Sequence, residues 1–457
     1  MTDKIVIIGG VAAGTKIAAK ARRLKPDARI DIYTEDTHVS YSACGLPFFI
    51  EGNFDDPEML IARTVEEFEA DNIHIHLLNR VVKILPKEKK VVVLDLKNDN
   101  EYYVNYDKLA ITTGAKPFIP NIKNVGLKNV FTLRTMEDGL AIKEKVKTSK
   151  HATIVGGGYI GIELLEAFVK QGLKVTLVEF APTIMPVFDD DISELIKAHV
   201  LEKDGDKVTI INSDAVVELV GDDFVQGVKT KNGSEFKTDM VIIATGVKPN
   251  VEIAVDAGIE LGETGAIKVN KKMQTNIPNI YAAGDCIEKI NIVSNTPVWV
   301  PLGSTAGKEG RCAAINICGE EDCFEGILGS AVTRYFGMTM SITGLTEKQA
   351  KSLGYEPVSV LITKLDKVGY MPEAKNITIK LIADKKTYKL LGAQAIGCGD
   401  ADKRVNTVAS GLKCGMHIDD FVTTDLTYAP PYSPAMDPLL TAAEKLLDKI
   451  NKMNKQN

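Results

Sequence analysis

The feature that most constrains the fold of this chain is a glycine-rich turn between a short strand and a helix. Residues 152–155 read Ala-Thr-Ile-Val, and the complete spacing GxGxxG follows at 156–161. In such a turn, backbone N–H groups and the N-terminus of the next helix meet the pyrophosphate of a dinucleotide. We expect the helix to run to Gln171 and a second strand to span Val175 to Val178. This segment therefore predicts a βαβ unit that binds a dinucleotide.

The end of the second strand predicts which dinucleotide this unit prefers. A carboxylate there, Glu179, would accept hydrogen bonds from ribose hydroxyls and repel a 2′-phosphate. Residues 180–182 are Phe-Ala-Pro, so no basic side chain follows the acid. We therefore predict NADH rather than NADPH. The residues predicted to bind it are Gly156, Gly158, Tyr159, Ile160, Gly161, Glu163, Glu179 and Gly246.

A second glycine-rich turn lies near the N-terminus. Residues 4–8 form an apolar strand, residues 9–14 read Gly-Gly-Val-Ala-Ala-Gly, and an alanine-rich helix is expected from about Thr15 to Leu24. Val11 stands where the second glycine of the pattern is usual. Strand, helix and terminal acid recur here, so the chain is predicted to bind two dinucleotides.

The acid of this first unit is less well placed than that of the second. The strand is expected from Arg29 to Thr34, and the residue in register with Glu179 is Thr34. An acid follows one position later, and we assign the ribose contact to this Glu35.

Three further stretches indicate how the chain is divided. Residues 109–117 and 241–249 look like two versions of one strand, Thr-Gly turn and Pro element, and they bracket an inserted domain. Residues 275–285 end in Tyr-Ala-Ala-Gly-Asp. A strand that ends in Gly-Asp suits contact between Asp285 and the ribityl hydroxyl of a flavin.

The paired turns and the Tyr-Ala-Ala-Gly-Asp segment resemble those of the FAD- and NAD(P)H-dependent pyridine nucleotide-disulfide oxidoreductases along nearly the full chain. The resemblance implies an α/β fold with two Rossmann-like domains, for FAD and NAD(P)H, and a C-terminal α+β dimerisation domain. The implied limits are 1–112 with 246–325 for FAD, 113–245 for NADH and 326–457 for dimerisation. The residues assigned to FAD are Gly9, Gly10, Ala13, Gly14, Glu35, Ser42, Val81, Thr113, Gly114, Arg134, Asp285 and Ala306.

The candidate redox centre is one cysteine, Cys44. A helix is expected to begin at it, and the positive end of a helix lowers the pKa of a thiol. Taken alone, the stretch is equally consistent with a buried structural cysteine. Reductases with two redox cysteines carry CxxxxC, but the residue five after Cys44 is Phe49. The chain is thus similar to the single-cysteine group, which includes coenzyme A-disulfide reductases, NADH oxidases, NADH peroxidases and NADH-dependent polysulfide reductases.

Two features favour a disulfide or polysulfide as the substrate. The NADH oxidases and NADH peroxidases of the group resemble one another in having a His at the position that Ala12 occupies here. A proton donor for oxygen or peroxide chemistry is therefore missing. Residues 427–438 resemble the coenzyme A-disulfide reductases, in which two tyrosines of the partner subunit face the cysteine. These tyrosines correspond to Tyr370 and Tyr428, although packing at the interface would also account for them. The resemblance implies a homodimer whose active site is completed by the partner's C-terminal domain, with Cys44, Tyr370 and Tyr428 as catalytic residues.

The sequence departs from the coenzyme A-disulfide reductases at two positions. Ala43 replaces the usual Asn before the cysteine, and Met436 replaces a Lys that serves the coenzyme A site. In compensation, Lys16, Lys20 and Arg23 lie at helical spacing on the first helix, close to where the resemblance implies the coenzyme A phosphates. A row of charges on a solvated helix face is the alternative explanation. The residues predicted to bind substrate are Lys16, Lys20, Arg23 and Ser40.

Composition excludes several other classes of protein. The 457 residues carry a net charge of −6, which leaves no basic surface for nucleic acid or an anionic membrane. No apolar run is long enough to span a bilayer, and the N-terminus does not read as a signal peptide. The seven cysteines contain no CxxC pair, so we predict neither a disulfide framework nor a metal site, and a reducing, cytoplasmic location.

These observations predict an enzyme that passes electrons from NADH through FAD and Cys44 to a disulfide or polysulfide, such as coenzyme A disulfide. An NADH oxidase, or a reductase of broad acceptor range including quinones and oxygen, is the first alternative. The second is a flavoprotein that serves as an electron-transfer subunit.

Overall fold

A computed structural model describes residues 3–456. Strands β1 to β9 are Lys4–Ile8, Arg29–Tyr33, Ile73–His76, Asn79–Leu85, Lys90–Asp95, Asn100–Asn105, Lys108–Ile111, Ala115–Pro117 and Val130–Phe131. Strands β10 to β17 are His151–Val155, Lys174–Val178, Val208–Ile211, Val216–Val220, Gly227–Thr230, Glu235–Lys237, Met240–Ile243 and Val247–Pro249. Strands β18 to β25 are Ile280–Ala282, Lys289–Asn291, Thr296–Val298, Ala331–Tyr335, Met338–Gly344, Pro357–Leu365, Asn376–Asp384 and Leu390–Gly397.

The helices of the described residues range from 5 to 18 residues in length. Helices α1 to α6 are Ala12–Leu24, Leu46–Glu51, Val65–Ala70, Met136–Val146, Tyr159–Lys170 and Asp190–Asp204. Helices α7 to α12 are Glu252–Asp256, Gly303–Ile317, Glu347–Ser352, Ala401–Lys413, Ile418–Val422 and Pro438–Lys455. Single 3₁₀ turns lie at Ala43–Gly45, Pro57–Leu60 and Pro86–Glu88.

Two parallel sheets of the same design form the first two units. The first has the order β18-β7-β1-β2-β3 and the second the order β12-β11-β10-β16-β9, with every neighbouring pair parallel. Their central strands are mainly apolar, as expected for parallel sheets that are covered on both faces. Antiparallel meanders, β4–β6 and β13–β15, accompany them. The antiparallel pair β8 and β17 lies where the chain enters the second sheet region and returns from it.

The third unit is an antiparallel sheet in the order β21-β22-β25-β24-β23. Helices α10 and α12 pack on it, and its core includes Phe421 and Leu446, which are fully or almost fully buried. Its first strand also contacts the second unit, where the Tyr335 hydroxyl donates to Asp204 at 3.1 Å. The predicted α/β class, with two Rossmann-like units and a C-terminal α+β unit, is confirmed.

The predicted element limits differ from the structure by a few residues. Helix α1 begins at Ala12, three residues before the predicted start, because the glycine-rich turn leads directly into it. Helix α5 ends at Lys170, and Gln171 is its C-cap. Strand β11 begins one residue early, at Lys174.

Candidate active site

The two glycine-rich turns have the same backbone geometry. Gly9 and Gly156 have φ angles of +107° and +108°, in the region that side chains rarely adopt. A Cβ atom at Gly9 would collide with the carbonyl oxygen of Thr112, and one at Gly156 with that of Ala244. The strand on the opposite side of each turn therefore allows only glycine at these two positions.

The missing glycine at Val11 does not disturb the first turn. Its counterpart Gly158 has φ −80°, and a Cβ atom there would have nothing within 4 Å. Val11 has φ −106°, which any residue adopts. The contacts within the protein therefore do not require glycine at position 158. Glycine would be required there only by the close approach of a ligand.

The strand ends beside the two turns differ in chemistry. The Glu179 carboxylate is buried and accepts hydrogen bonds from the N–H groups of Gly157, at 2.5 Å, and Ala181, at 2.6 Å. In the first unit, Thr34 takes this place, with its Cγ2 atom 3.3 Å from where a Cβ on Gly10 would lie.

The assignment of the ribose contact to Glu35 needs correction. The side chain of Glu35 is half-exposed, and its Oε2 atom accepts a hydrogen bond from Nε of Arg80 at 2.5 Å. Strand β2 ends at Tyr33. Of the two residues that follow it, Thr34 lies beside Gly10 of the turn, whereas Glu35 is paired with Arg80.

Asp285 provides an acceptor that no described residue of the protein satisfies. Its Oδ2 atom lies 3.3 Å from Nη2 of Arg134, whereas its buried Oδ1 atom has no hydrogen-bond partner in residues 3–456. A buried carboxylate oxygen without a donor is costly. It fits a ligand hydroxyl, and Gly114 leaves the space, since a Cβ there would lie 3.1 Å from Nη2 of Arg134.

A buried ion pair supports the Asp285 loop from below, and sequence reasoning missed it. Glu309 of α8 is fully buried, accepts a hydrogen bond from the N–H of Gly284 at 2.9 Å and lies 3.4 Å from the buried Lys289. Burial raises the pKa of the Glu309 carboxyl. The only sequence signal was an acid inside an otherwise small and apolar helix face.

The other residues assigned to FAD lie at varied depth. Ala13 and Ala306 bring the starts of α1 and α8 together, 3.1 and 3.8 Å from a Cβ built on Gly284. Thr113 is fixed by a hydrogen bond from its hydroxyl to the carbonyl of Asn250. The Val81 side chain is packed in the core of the first unit. Of the remaining two residues, Gly14 is buried beneath the first turn, whereas Ser42 is exposed.

One cavity of about 2180 Å³ joins Cys44 to the second glycine-rich turn. Cys44 lines it together with Arg134 and Asp285, two of the residues predicted to bind FAD. The residues of the NADH prediction that line it are Gly156, Gly158, Tyr159, Ile160, Glu163, Glu179 and Gly246. Gly161 lies beneath, because a Cβ there would collide with the carbonyl of Gly156.

Cys44 is exposed to this cavity, so it is not a buried structural cysteine. It lies in the 3₁₀ turn Ala43–Gly45, ahead of the six-residue helix α2. Enclosure by the surrounding protein raises the pKa of the thiol, and the charges of Glu163 and Asp285 raise it further, against the opposing effect of Arg134. The prediction of a lowered pKa is therefore wrong. The helix begins two residues later than expected, at Leu46, and loss of solvation is the largest cause of the raised pKa, ahead of the two carboxylates.

Glu163 is held in place by the third unit. The hydroxyl of Thr333, on β21, donates to its Oε1 atom at 2.9 Å. Burial raises the pKa of this carboxyl. Strand β21 therefore fixes an acid that lines the cavity between Cys44 and the second turn.

A second cavity, of about 560 Å³, lies where α1 and α8 meet and is lined with cations. Lys16 and Ser40 line it as predicted side chains, whereas Lys20 and Arg23 are absent from its lining. Sequence reasoning missed its other cations, which are Arg63, Lys308 and Arg311. Lys308 and Arg311 share one face of α8, but only the packing of α8 on α1 brings them to Lys16.

Tyr370 and Tyr428 lie on the third unit and are 73% and 52% exposed. Neither lines the cavity that contains Cys44 of the same chain. Both belong to irregular segments, one between β23 and β24 and the other ahead of α12.

Two glycine-rich turns of the dinucleotide type, and one cavity that holds the second turn, an exposed cysteine and an acid with a free acceptor, define an α/β oxidoreductase. Residues 3–307 match the model of the pyridine nucleotide-disulphide oxidoreductases, and residues 330–439 match the dimerisation domain of the same proteins. The chain therefore belongs to the pyridine nucleotide-disulphide oxidoreductase family, and the predicted family is confirmed.

Relatives with different activities align over the full chain. An NAD(P)H coenzyme A polysulfide/persulfide reductase of Pyrococcus horikoshii is 37% identical over 450 residues, 98% of this chain and 99% of that protein. An NADH oxidase of Methanocaldococcus jannaschii is 36% identical over 455 residues, 98% and 99% of the two chains. The structure of an NAD-dependent persulfide reductase from A. fulgidus superposes with a TM-score of 0.95 at 34% identity, over 98% of this chain and 84% of that one.

Among residues 3–456, no helix combines the length and the apolarity that crossing a bilayer requires.

Proposed function

We propose that this protein is an FAD-dependent reductase that uses NADH to reduce a disulfide or polysulfide through the single cysteine Cys44. The observation that carries the proposal is the position of Cys44, exposed in one cavity with Asp285 and the second glycine-rich turn. The relatives named for persulfide or polysulfide reduction, at 34% and 37% identity, support the same chemistry.

The residues of the first unit fit a flavin dinucleotide. The unpaired Oδ1 atom of Asp285 suits a ribityl hydroxyl, and the turn at Gly9 would direct backbone N–H groups to a pyrophosphate. Helix α8 begins at Gly303, and Ala306 in its first turn lies near Gly284, as does Ala13. The positive end of this helix would lie near the ring system. When bound, the flavin supplies a carrier that takes hydride from NADH and gives an electron pair to sulfur.

The second unit is proposed to prefer NADH. Two N–H groups hold the Glu179 carboxylate in place beside the turn, where it would accept hydrogen bonds from the ribose hydroxyls. A 2′-phosphate there would meet a fixed negative charge without a cation beside it. Tyr159 lies at the start of α5, where it would cover the cofactor ring until the nicotinamide enters.

The substrate step follows from the position of Cys44. Its thiolate attacks one sulfur of the substrate, a new S–S bond forms to Cys44, and the other sulfur leaves as thiolate or hydrosulfide. In a homodimer, Tyr370 and Tyr428 of the partner subunit would give the leaving sulfur a proton or a hydrogen bond. Their exposure on the dimerisation domain and their absence from the cavity of their own chain support this role.

The cationic cavity is proposed to hold the phosphates of a coenzyme A group. Lys16 and Lys308 form no ion pair with any residue from 3 to 456, whereas Arg63 and Arg311 are paired with Asp71 and Asp322. Two unpaired ammonium groups and a serine suit a phosphorylated ligand. The replacements at Ala43 and Met436 remain departures from the coenzyme A-disulfide reductases.

The domain limits are also proposals: 1–112 with 246–325, 113–245, and 326–457. Each of the three five-stranded sheets lies within one of these units. We further propose a reducing compartment such as the cytoplasm. Besides Cys44, three exposed thiols, Cys323, Cys398 and Cys414, would have to remain reduced there.

The relative named as an NADH oxidase, at 36% identity, favours oxygen as the second candidate acceptor. Anaerobic NADH oxidation should be measured with coenzyme A disulfide, polysulfide, glutathione disulfide and a quinone, and compared with turnover in air. We expect a sulfur acceptor to give the highest kcat/KM. Rapid, peroxide-free reduction of oxygen with no turnover of any sulfur acceptor would contradict the proposal.

A further inference from the structure

A buried arginine on α10 joins the two segments that carry Tyr370 and Tyr428. Arg404 is only 7% exposed. Its Nε and Nη2 atoms donate to the two carboxylate oxygens of Asp437, both at 3.1 Å, and Nη2 also donates to the carbonyl of Asp366 at 2.8 Å. The guanidinium thus binds three acceptor atoms that belong to two distant segments.

On one side, Asp437 fixes the segment that precedes α12. Its Oδ1 atom accepts the N–H of Leu439 at 2.7 Å and caps the helix, and its Oδ2 atom accepts the hydroxyl of Ser433 at 2.9 Å. The N–H of Ser433 in turn donates to the carbonyl of Ala429, at 3.1 Å. Tyr428 is the residue before this turn, so its position depends on Asp437.

On the other side, Asp366 closes the neck of the loop that carries Tyr370. The N–H of Asp366 donates to the carbonyl of Lys375, and its Oδ1 atom accepts the N–H of Lys375, both at 2.8 Å. Tyr370 is at the exposed tip of this loop, within a turn from Val368 to Met371. The Arg404 bond at the Asp366 carbonyl therefore anchors the loop at its base.

We infer that Arg404 is a positioning residue that keeps the phenols of Tyr370 and Tyr428 at a fixed spacing for the sulfur step. The inference rests on the proposed function, because it gives these tyrosines their role. A rigid fork of donors can bind the carboxylate and the carbonyl together, whereas a lysine ammonium cannot reproduce that geometry. A displacement of about 1 Å in an aligned group can cost on the order of a hundredfold in rate.

The test compares Arg404→Lys, Tyr428→Phe and the double variant, as FAD-loaded dimers, in anaerobic turnover of NADH with coenzyme A disulfide. We expect Tyr428→Phe to lower kcat by about a hundredfold and Arg404→Lys by about tenfold or more. In the double variant, the loss in kcat should be clearly smaller than the product of the two single losses, because Arg404 acts in part through Tyr428. The KM for NADH and the rate of flavin reduction should not change in any of them.

The matched control is Arg29→Lys, which alters another forked Arg–Asp pair. Arg29 binds Asp31 at 2.9 and 3.1 Å at the start of β2, and its replacement should leave disulfide turnover unchanged. If Arg404→Lys does not yield a dimer, Ser433→Ala takes its place. It removes one bond of the same network, and a severalfold loss should again be smaller in the Tyr428→Phe background.

The possible outcomes distinguish a failure of the proposed role of the tyrosines from a failure of the inference about Arg404. Wild-type kcat in both Tyr370→Phe and Tyr428→Phe would overturn the role of the tyrosines and the inference with it. A loss in the tyrosine variants, together with full activity in Arg404→Lys or a multiplicative loss in the double variant, would overturn the inference alone.

Discussion

The two glycine-rich units share one backbone plan but differ in what their strand ends offer a ligand. Gly9 and Gly156 have the same positive φ and lie against a carbonyl of the neighbouring strand. Beside the second turn, Glu179 is a buried, fixed carboxylate, whereas Thr34 fills that place in the first unit. The fold therefore determines the glycines, and the residue in register at the strand end determines the ligand chemistry.

The largest effect should separate a glycine that the fold requires from one that only a ligand requires. Gly9→Ala should destabilise the protein by about 3 kcal/mol, because the new Cβ atom collides with the Thr112 carbonyl at a strained φ. Gly158→Ala should leave stability unchanged and raise the KM for NADH. Thermal unfolding of both variants checks this. Equal melting temperatures would contradict the distinction.

The next effect concerns the strand end of the second unit. Glu179→Arg should shift the ratio of kcat/KM values towards NADPH by on the order of tenfold to a hundredfold, since a cation replaces the fixed anion at the ribose. Steady-state kinetics with both donors measures it. A wild-type protein that already uses NADPH as well as NADH would show that Glu179 does not set the preference.

The charge of Glu163 should act on Cys44 across the shared cavity. Removing this charge in Glu163→Gln should lower the pKa of the Cys44 thiol, because less negative charge then opposes the thiolate. Arg134→Gln should raise the pKa for the opposite reason. The pH dependence of alkylation by iodoacetamide, with the modified cysteine identified by mass spectrometry, gives both values. In the wild type, alkylation should increase through a pKa above that of an ordinary thiol and be lost as pH falls below it.

The smallest effect is expected at Glu35, the residue whose assignment the structure corrects. Glu35→Ala should change the dissociation constant for FAD by less than about threefold, because the side chain forms a half-exposed ion pair with Arg80. Thr34→Val, beside the turn, should weaken FAD more. Titration of the apoprotein with FAD compares the two. A much larger loss in Glu35→Ala would restore the original assignment.

The sequence was most informative where the backbone alone sets the geometry. The two turns and the strand before Asp285 follow from glycine spacing and short apolar runs, whereas the C-terminal α+β unit was expected from the family resemblance. The one-residue offset of Glu35 from the register of Glu179 is visible in the sequence, but its ion pair with Arg80 is not. The raised pKa of Cys44 could not be predicted from the sequence either. It depends on enclosure by the protein and on Glu163 and Asp285, which are distant in sequence.

Groups that meet only through packing were missed entirely. Lys308 reaches Lys16 because α8 packs on α1, and Glu309 meets Lys289 in the same core. Tyr370 and Tyr428 came from a resemblance, and their link through Arg404 needed the fold of the third unit.

The central claim is that electrons reach the substrate through the sulfur of Cys44, and one measurement tests it most directly. Stopped-flow reduction by NADH, followed by anaerobic turnover with coenzyme A disulfide, should be compared for the wild type, Cys44→Ser and the control Cys414→Ser, another exposed thiol in the same cavity. Cys44→Ser should retain FAD and be reduced at a similar rate, yet lose disulfide turnover by about a thousandfold, while Cys414→Ser keeps both activities. Disulfide turnover at the wild-type rate in Cys44→Ser would contradict the claim.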